Sequence, residues 1–300
     1  MNRNLRWSLT LLTPLLMTPT HAATWIKDFQ GQPEQYRLEQ NNQPVLIRYY
    51  LSLQNGDRLW ANAADGELRL ERDDGQIIRV KAANSPYTVQ DTSKTPSMFA
   101  NLVQWAGDWL NNQVGAGRAD PPISLSSRGD KPADQKLRWV LTLSGTTSAR
   151  LLAGTRAFAI GWQGGVAPFH LRLQHQTGNK VLLDQMDIKH HFFSSPALEL
   201  PAGAYQLSVE DAQKQQATLA IEAVTAADLP TSAPELKPAS DTDSLKETVY
   251  AVWLASQGET WVLEAYLRAW RWQDQHQPAV WLMRSLEKGH RPEKPKLVNP

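Results

Sequence analysis

LSLQNGDRLWANAADGELRLERDDGQIIRVKAAN, residues 51–84, holds short apolar-alternating runs, each set up by a turn signal. Asn55-Gly56-Asp57 precedes Arg58-Leu59-Trp60, Ala64-Asp65-Gly66 precedes Glu67 to Leu70, and Asp73-Asp74-Gly75 precedes Gln76 to Val80. Asn-Gly and Asp-Gly suit tight turns because both residue types tolerate positive φ. Runs of period two joined by such turns predict a small antiparallel β module.

Upstream, QPVLIRYY (43–50) extends the β reading. Downstream, Thr95-Pro96 is a cap followed by proline at the first helical position. Met98/Phe99, Leu102/Val103, Trp105/Ala106 and Trp109/Leu110 then recur at helical spacing. Asp108, Gln104 and asparagines fill the other face, so the helix is expected to lay its apolar side on the sheet rather than on a membrane.

The Gly56-Asp57 turn, Asp65-Gly66-Glu67-Leu68 and the later Asp74-Gly75 together resemble the FecR-type periplasmic domain over about residues 40–90. The resemblance implies an envelope module that binds and relays rather than catalyses. In membrane-bound relatives such a domain senses an outer-membrane receptor and controls a sigma factor. No anti-sigma segment or anchor of that kind is recognisable here, so an interaction role is expected and direct transcriptional control is not.

Residues 1–22 read as a secretory signal: Arg3 and Arg6, an apolar run from Trp7 to Met17, and small residues near Ala22. The run is shorter than the roughly 20 residues a membrane helix needs, so no integral membrane segment is expected after cleavage. The chain has no cysteine, which excludes disulfides and a lipid-anchor thiol. Without Arg3 and Arg6 there are 29 basic and 30 acidic residues, which gives no electrostatic case for nucleic acid.

VGAGRADPPISLSSRGDKPADQ (114–135) is rich in Gly, Pro, Ser and Asp and reads as a linker. From 136 to 225 the apolar residues alternate in short runs: Leu137/Trp139/Leu141/Leu143, Phe158/Ile160/Trp162, Phe169/Leu171/Leu173, Tyr205/Leu207/Val209 and Leu219/Ile221. This predicts a β-sandwich. FAIGWQGG (158–165) with PFHL (168–171), and LPAGAYQLSV (200–209), resemble bacterial Ig-like or fibronectin-like domains. That resemblance implies that Trp162 is a core residue.

Pro230, Pro234 and Pro238 mark a second linker. Beyond it, Ser244-x-x-Glu247 reads as a capping box, Gly258 as a stop, Thr260 as a second cap and Pro278 as a third start. The expected organisation is a mainly β chain: signal 1–22, FecR-like module with trailing helix 23–112, linker 113–135, Ig-like sandwich 136–225, linker 226–243, short helical bundle 244–289, and a disordered basic tail 290–300.

Twelve tryptophans are many, and five lie in the helical segment: Trp253, Trp261, Trp270, Trp272 and Trp281. A small bundle cannot bury them all. Together with Trp60 they are the candidate binding residues, some meeting the sandwich or an envelope protein partner. No cofactor or metal is expected. Asp184, Asp187, His190 and His191 form the densest metal-like cluster, but adjacent histidines in a strand point to opposite faces. No His-Glu-x-x-His or Gly-x-Ser-x-Gly pattern occurs. The leading expectation is a non-catalytic periplasmic binding or scaffold protein. The alternatives are a peptidoglycan or carbohydrate binder, with Trp60, Trp105, Trp109 or Tyr49-Tyr50 as platform, and an enzyme of unknown type.

Overall fold

The computed structural model describes residues 23–90, 97–114, 136–141, 143, 148–178, 180–230 and 243–296. The expected signal segment and most of both expected linkers lie outside these residues. The chain is mainly β, with two β modules and C-terminal helices.

The first module has eight strands: β1 Thr24–Phe29, β2 Tyr36–Gln40, β3 Gln43–Val45, β4 Ser52–Leu53, β5 Arg58–Ala61, β6 Glu67–Arg72, β7 Ile77–Lys81 and β8 Tyr87–Thr88. They form two sheets, β4-β1-β6-β7 and β3-β2-β5-β8. Every pairing in them is antiparallel. Gly75 (φ 84°) turns the β6–β7 hairpin, and Gly56 (φ 89°) turns between β4 and β5, which belong to different sheets; a side chain at either would be strained. The space between the sheets is filled by Ile26, Leu38, Leu59, Leu68, Leu70 and Val80.

Successive residues on a strand point to opposite faces, and β1 uses both. Ile26 enters the module's own core, while its neighbour Trp25 joins a second, larger core outside it. There Trp25 meets Phe99 edge to face at 5.6 Å. Phe99 belongs to helix α1, Met98–Val114, whose buried row is Phe99, Leu102, Val103, Ala106 and Leu110. The helix does not lie on the sheet alone, as expected, but also packs against the C-terminal helices. Gly107 allows its close approach: a Cβ there would stand 2.7 Å from Tyr50 Cβ and 3.2 Å from the Tyr49 carbonyl oxygen. Gly107→Ala is therefore expected to destabilise the fold by about 1–3 kcal/mol, although alanine is the better helix former. Urea unfolding of the variant checks it.

The second module is a sandwich of ten strands: β9 Arg138–Trp139, β10 Ala149–Leu152, β11 Gly154–Arg156, β12 Ala159–Gln163, β13 Phe169–His175, β14 Val181–Ile188, β15 Phe192–Ser194, β16 Leu198–Leu200, β17 Gly203–Glu210 and β18 Gln216–Val224. One sheet runs β10-β18-β17-β13-β14, with β10 parallel to β18; opposite it lie β15-β12-β9 and the pair β11-β16. Trp162 is buried against Phe169 at 5.3 Å. At the start of β17 the Tyr205 hydroxyl donates to the Pro201 carbonyl at 2.7 Å, the tyrosine-corner arrangement of Ig-type sandwiches.

The C-terminal helices are α2 Ser244–Ser256, α3 Val262–Trp270 and α4 Gln277–Glu287. The cap of α2 is Asp243, whose carboxylate accepts from the Lys246 N–H at 3.2 Å, so Ser244 is already inside the helix. Thr260 does not cap α3; a 3-10 turn, Glu259–Trp261, leads into it. Gly258 (φ 130°) breaks α2 as expected, and Pro278 sits in the first turn of α4. In the described part of the tail, which was expected to be disordered, Pro292 is buried and Arg291 faces Glu259 at 3.9 Å.

These helices sit between the two β modules and share one continuous core with the sandwich, α1 and the outer face of β1. A buried charge chain fixes the sandwich side. Glu264 on α3 accepts from the Leu152 N–H (3.0 Å) and from Arg156 Nη1 (2.6 Å). Its other oxygen accepts from Arg268 Nε (2.8 Å), and Arg268 reaches Glu247 at 2.8 Å. Burial works to raise the Glu264 pKa, but the two guanidinium groups outweigh it and hold the carboxyl below its ordinary value. The same contact closes the β10 edge of the large sheet. The opposite edge, β14, carries register shifts and the charges of Asp184 and Asp187, features that discourage strand addition.

Candidate functional site

Only one of the six tryptophans singled out in the sequence stands on an open sheet face. Trp253, Trp261 and Trp272 belong to the shared core. Trp253 stacks on Tyr250, and Trp261 meets the sandwich through the Arg150 guanidinium at 5.9 Å. Trp270 and Trp281 are half-buried against the same core, with Trp281 edge-on to Tyr49 at 5.2 Å. The bundle alone does not enclose its five tryptophans, and Trp261 meets the sandwich. The bundle borrows interior from the sandwich and from the first module, so three of its five tryptophans are enclosed. Trp105 and Trp109 are partly buried against that core, and Tyr50 is fully buried.

Trp60 is different. It lies half-buried on β5, on the outer face of the β3-β2-β5-β8 sheet. The alternation Tyr36-Arg37-Leu38-Glu39 sends Tyr36 and Leu38 inward, so Arg37 and Glu39 share the outer face with Trp60 and Arg58. Pairing sets Arg37 opposite Trp60 and Glu39 opposite both Arg58 and Pro44. The guanidinium carbons of Arg37 and Arg58 stand 4.9 and 5.6 Å from the indole centre. Both guanidinium groups also pair with Glu39, one on each carboxylate oxygen. Their side chains remain 59% and 45% exposed.

A second feature lies at the seam between the first module and the helices. Asp28, Phe29, Tyr49 and Arg69 face the α3–α4 turn, residues 273–277, across a pocket of about 250 Å³. Asp28 is ion-paired to Arg69 at 2.5 Å; burial raises its pKa and Arg69 opposes the rise. Beneath the pocket His276, 3% exposed, shares a hydrogen bond of 2.6 Å with the Tyr50 hydroxyl. Burial, reinforced by Lys27, pushes its imidazole down to about 3, and burial pushes the Tyr49 phenol up to about 12.

The metal-like cluster of the sequence is dispersed. Asp184 pairs across strands with His170 and Arg172 rather than with His190 or His191. His191 turns its Nε2 to the Gly164 carbonyl at 3.1 Å. Among the described residues no group of three or more His, Cys, Asp or Glu side chains converges. Among them, too, no helix is long and apolar enough to cross a membrane.

Sequence reasoning found Trp60 but missed Arg37, Glu39 and Arg58. The period-two pattern of residues 36–39 was the available signal. It missed His276 and the Asp28–Arg69 pair, whose partners are far apart in the chain.

No protein-family model matches the chain, and no curated protein matches it. Among solved structures, CopC from Methylosinus trichosporium OB3b is similar at 18% identity with a TM-score of 0.22, over 29% of this chain and 93% of that one. A likeness of that size carries no argument about site or partner.

Proposed function

We propose that the chain is an exported, non-catalytic binding or scaffold protein of the cell envelope, periplasmic after loss of residues 1–22, that works through protein contacts. The observation that supports it is Trp60, held on an open sheet face between two exposed arginines. Tryptophan and arginine are the residues most enriched at binding hot spots. The resemblance of residues 40–90 to FecR-type domains supports an envelope partner. The helices act as a rigid connector, since their tryptophans are spent on the shared core.

A second reading, peptidoglycan or carbohydrate binding, is favoured by the seam pocket, where Asp28, Arg69 and glutamines stand beside Phe29 and Tyr49. Fractionation with co-sedimentation separates the two. The protein-contact reading expects a periplasmic chain, lacking residues 1–22, that stays in the supernatant with purified peptidoglycan and is retained by envelope protein. A cytosolic chain with Met1 intact contradicts export. Pelleting with peptidoglycan alone replaces the first reading by the second.

A further inference from the structure

The outer face around Trp60 can be read row by row. Register places Pro44, Glu39, Arg58 and Thr88 side by side across four strands. Continuing each pairing by one residue sets Leu46 opposite Arg37, and Pro86 opposite Trp60, as the adjacent row. Val45 packs inward, so Leu46 turns outward, and it is 43% exposed. Arg37, Pro44, Leu46, Arg58, Pro86 and Thr88 are all exposed, so no described element covers this face.

Its chemistry is specific. Apolar Leu46, Pro44 and Pro86 rim a centre in which two guanidinium groups lie over one indole. A guanidinium has five N–H donors in a rigid fork that matches a carboxylate. Glu39 uses part of each fork and fixes both in place, leaving further donors free. Two arginines against one glutamate leave the centre one positive charge in excess. A sugar would need the indole face that the guanidinium groups cover, and nucleic acid would be repelled by Glu39 at the middle of so small a patch.

We infer that this face docks an acidic segment of a partner protein, an aspartate or glutamate flanked by aliphatic residues, whose carboxylate is gripped by Arg37 and Arg58 beside Trp60. This rests on the protein-contact reading above and names the partner's chemistry.

The test is a photo-crosslinking residue at Thr88 of the full chain, in its native cell, with the adduct mapped by mass spectrometry. The expected result is an adduct on a partner peptide that carries an Asp or Glu. Arg37→Glu with Arg58→Glu should lower its yield at least tenfold. Arg37→Lys with Arg58→Lys, which keeps the charge but loses the fork, should lower it severalfold. Replacing the partner's mapped carboxylate by arginine should restore the adduct to the Arg58→Glu chain. Unchanged thermal melts of these surface variants establish that they fold. An adduct on glycan or on a second copy of this chain overturns the inference, as does one indifferent to charge reversal. If Trp60→Ala abolishes the adduct while charge reversal leaves it, the protein-contact reading stands and the acidic partner falls. If no adduct forms at Thr88, Pro86 or Pro44, both fall.

Discussion

Glu264→Ala is expected to cost about 3–5 kcal/mol of stability, because it breaks a largely buried ion pair rather than a surface one: Arg156 loses its carboxylate and Arg268 keeps only Glu247. The Glu264 side chain is 1% exposed, and those of Arg156 and Arg268 are 16% and 11%. Removing the carboxylate also leaves the Leu152 N–H of the sheet edge without its acceptor. The contact joins α3 to β10 and β11, so the loss falls on the docking of the helices to the sandwich. Replacing Glu264 and Arg156 together by leucine should cost less than the single change, since a buried pair can be exchanged for packing more cheaply than it can be broken. Urea unfolding of both variants measures this. A loss below about 1 kcal/mol for Glu264→Ala would show that the charge chain does not hold the modules together.

Acid is expected to weaken the opposite joint. His276 is neutral when folded, with its pKa pushed down to about 3. Lys27 and Arg69 disfavour its proton, Asp243 favours it, and Tyr49 and Tyr50 flank the ring. The unfolded imidazole takes a proton near pH 6.5, so below that pH the unfolded state binds more protons than the folded one. The stability contributed by neutral burial is complete above pH 6.5 and is lost as pH falls toward 3. At pH 4.5 the loss is about 3 kcal/mol. Glu264, whose folded pKa is lowered, adds a further loss below about pH 4.5. A pH series of Tm should therefore show a slope between pH 6.5 and 4.5 that His276→Gln flattens. An equal slope in the variant would place the acid sensitivity elsewhere.

Local signals in the sequence were legible and long-range ones were not. The turns at Gly56 and Gly75, the alternation of β13 and β17, the helix of residues 98–114 and the proline start of α4 follow from short-range rules. Strands β1 and β2 escaped notice: β1 buries residues on both faces, and the two are joined by a 3-10 turn, Pro33–Gln35, rather than by an Asn-Gly or Asp-Gly hairpin. Strand β14 escaped because a bulged edge strand has no clean period of two. The capping of α2 was misplaced by one residue because Asp243 and Ser244 are both competent caps, and Glu247 turned out to be a buried partner of Arg268. At the candidate site, Trp60 was legible as an unusual residue on a short strand. Its two arginines were not, because one comes from a strand more than twenty residues away. That the bundle tryptophans exceed one small core was legible from their number, but which of them the shared core encloses was not, because sequence does not reveal that three modules pool their interiors.

The measurement that bears most directly on the protein-contact account is quantitative crosslinking capture from the native envelope with the mature chain, its Trp60→Ala variant and its Trp270→Ala variant. The account predicts one defined protein partner captured by the wild-type and Trp270→Ala chains, with capture falling at least about thirtyfold for Trp60→Ala, the scale of a 2 kcal/mol hot spot. Equal capture by all three chains would contradict it.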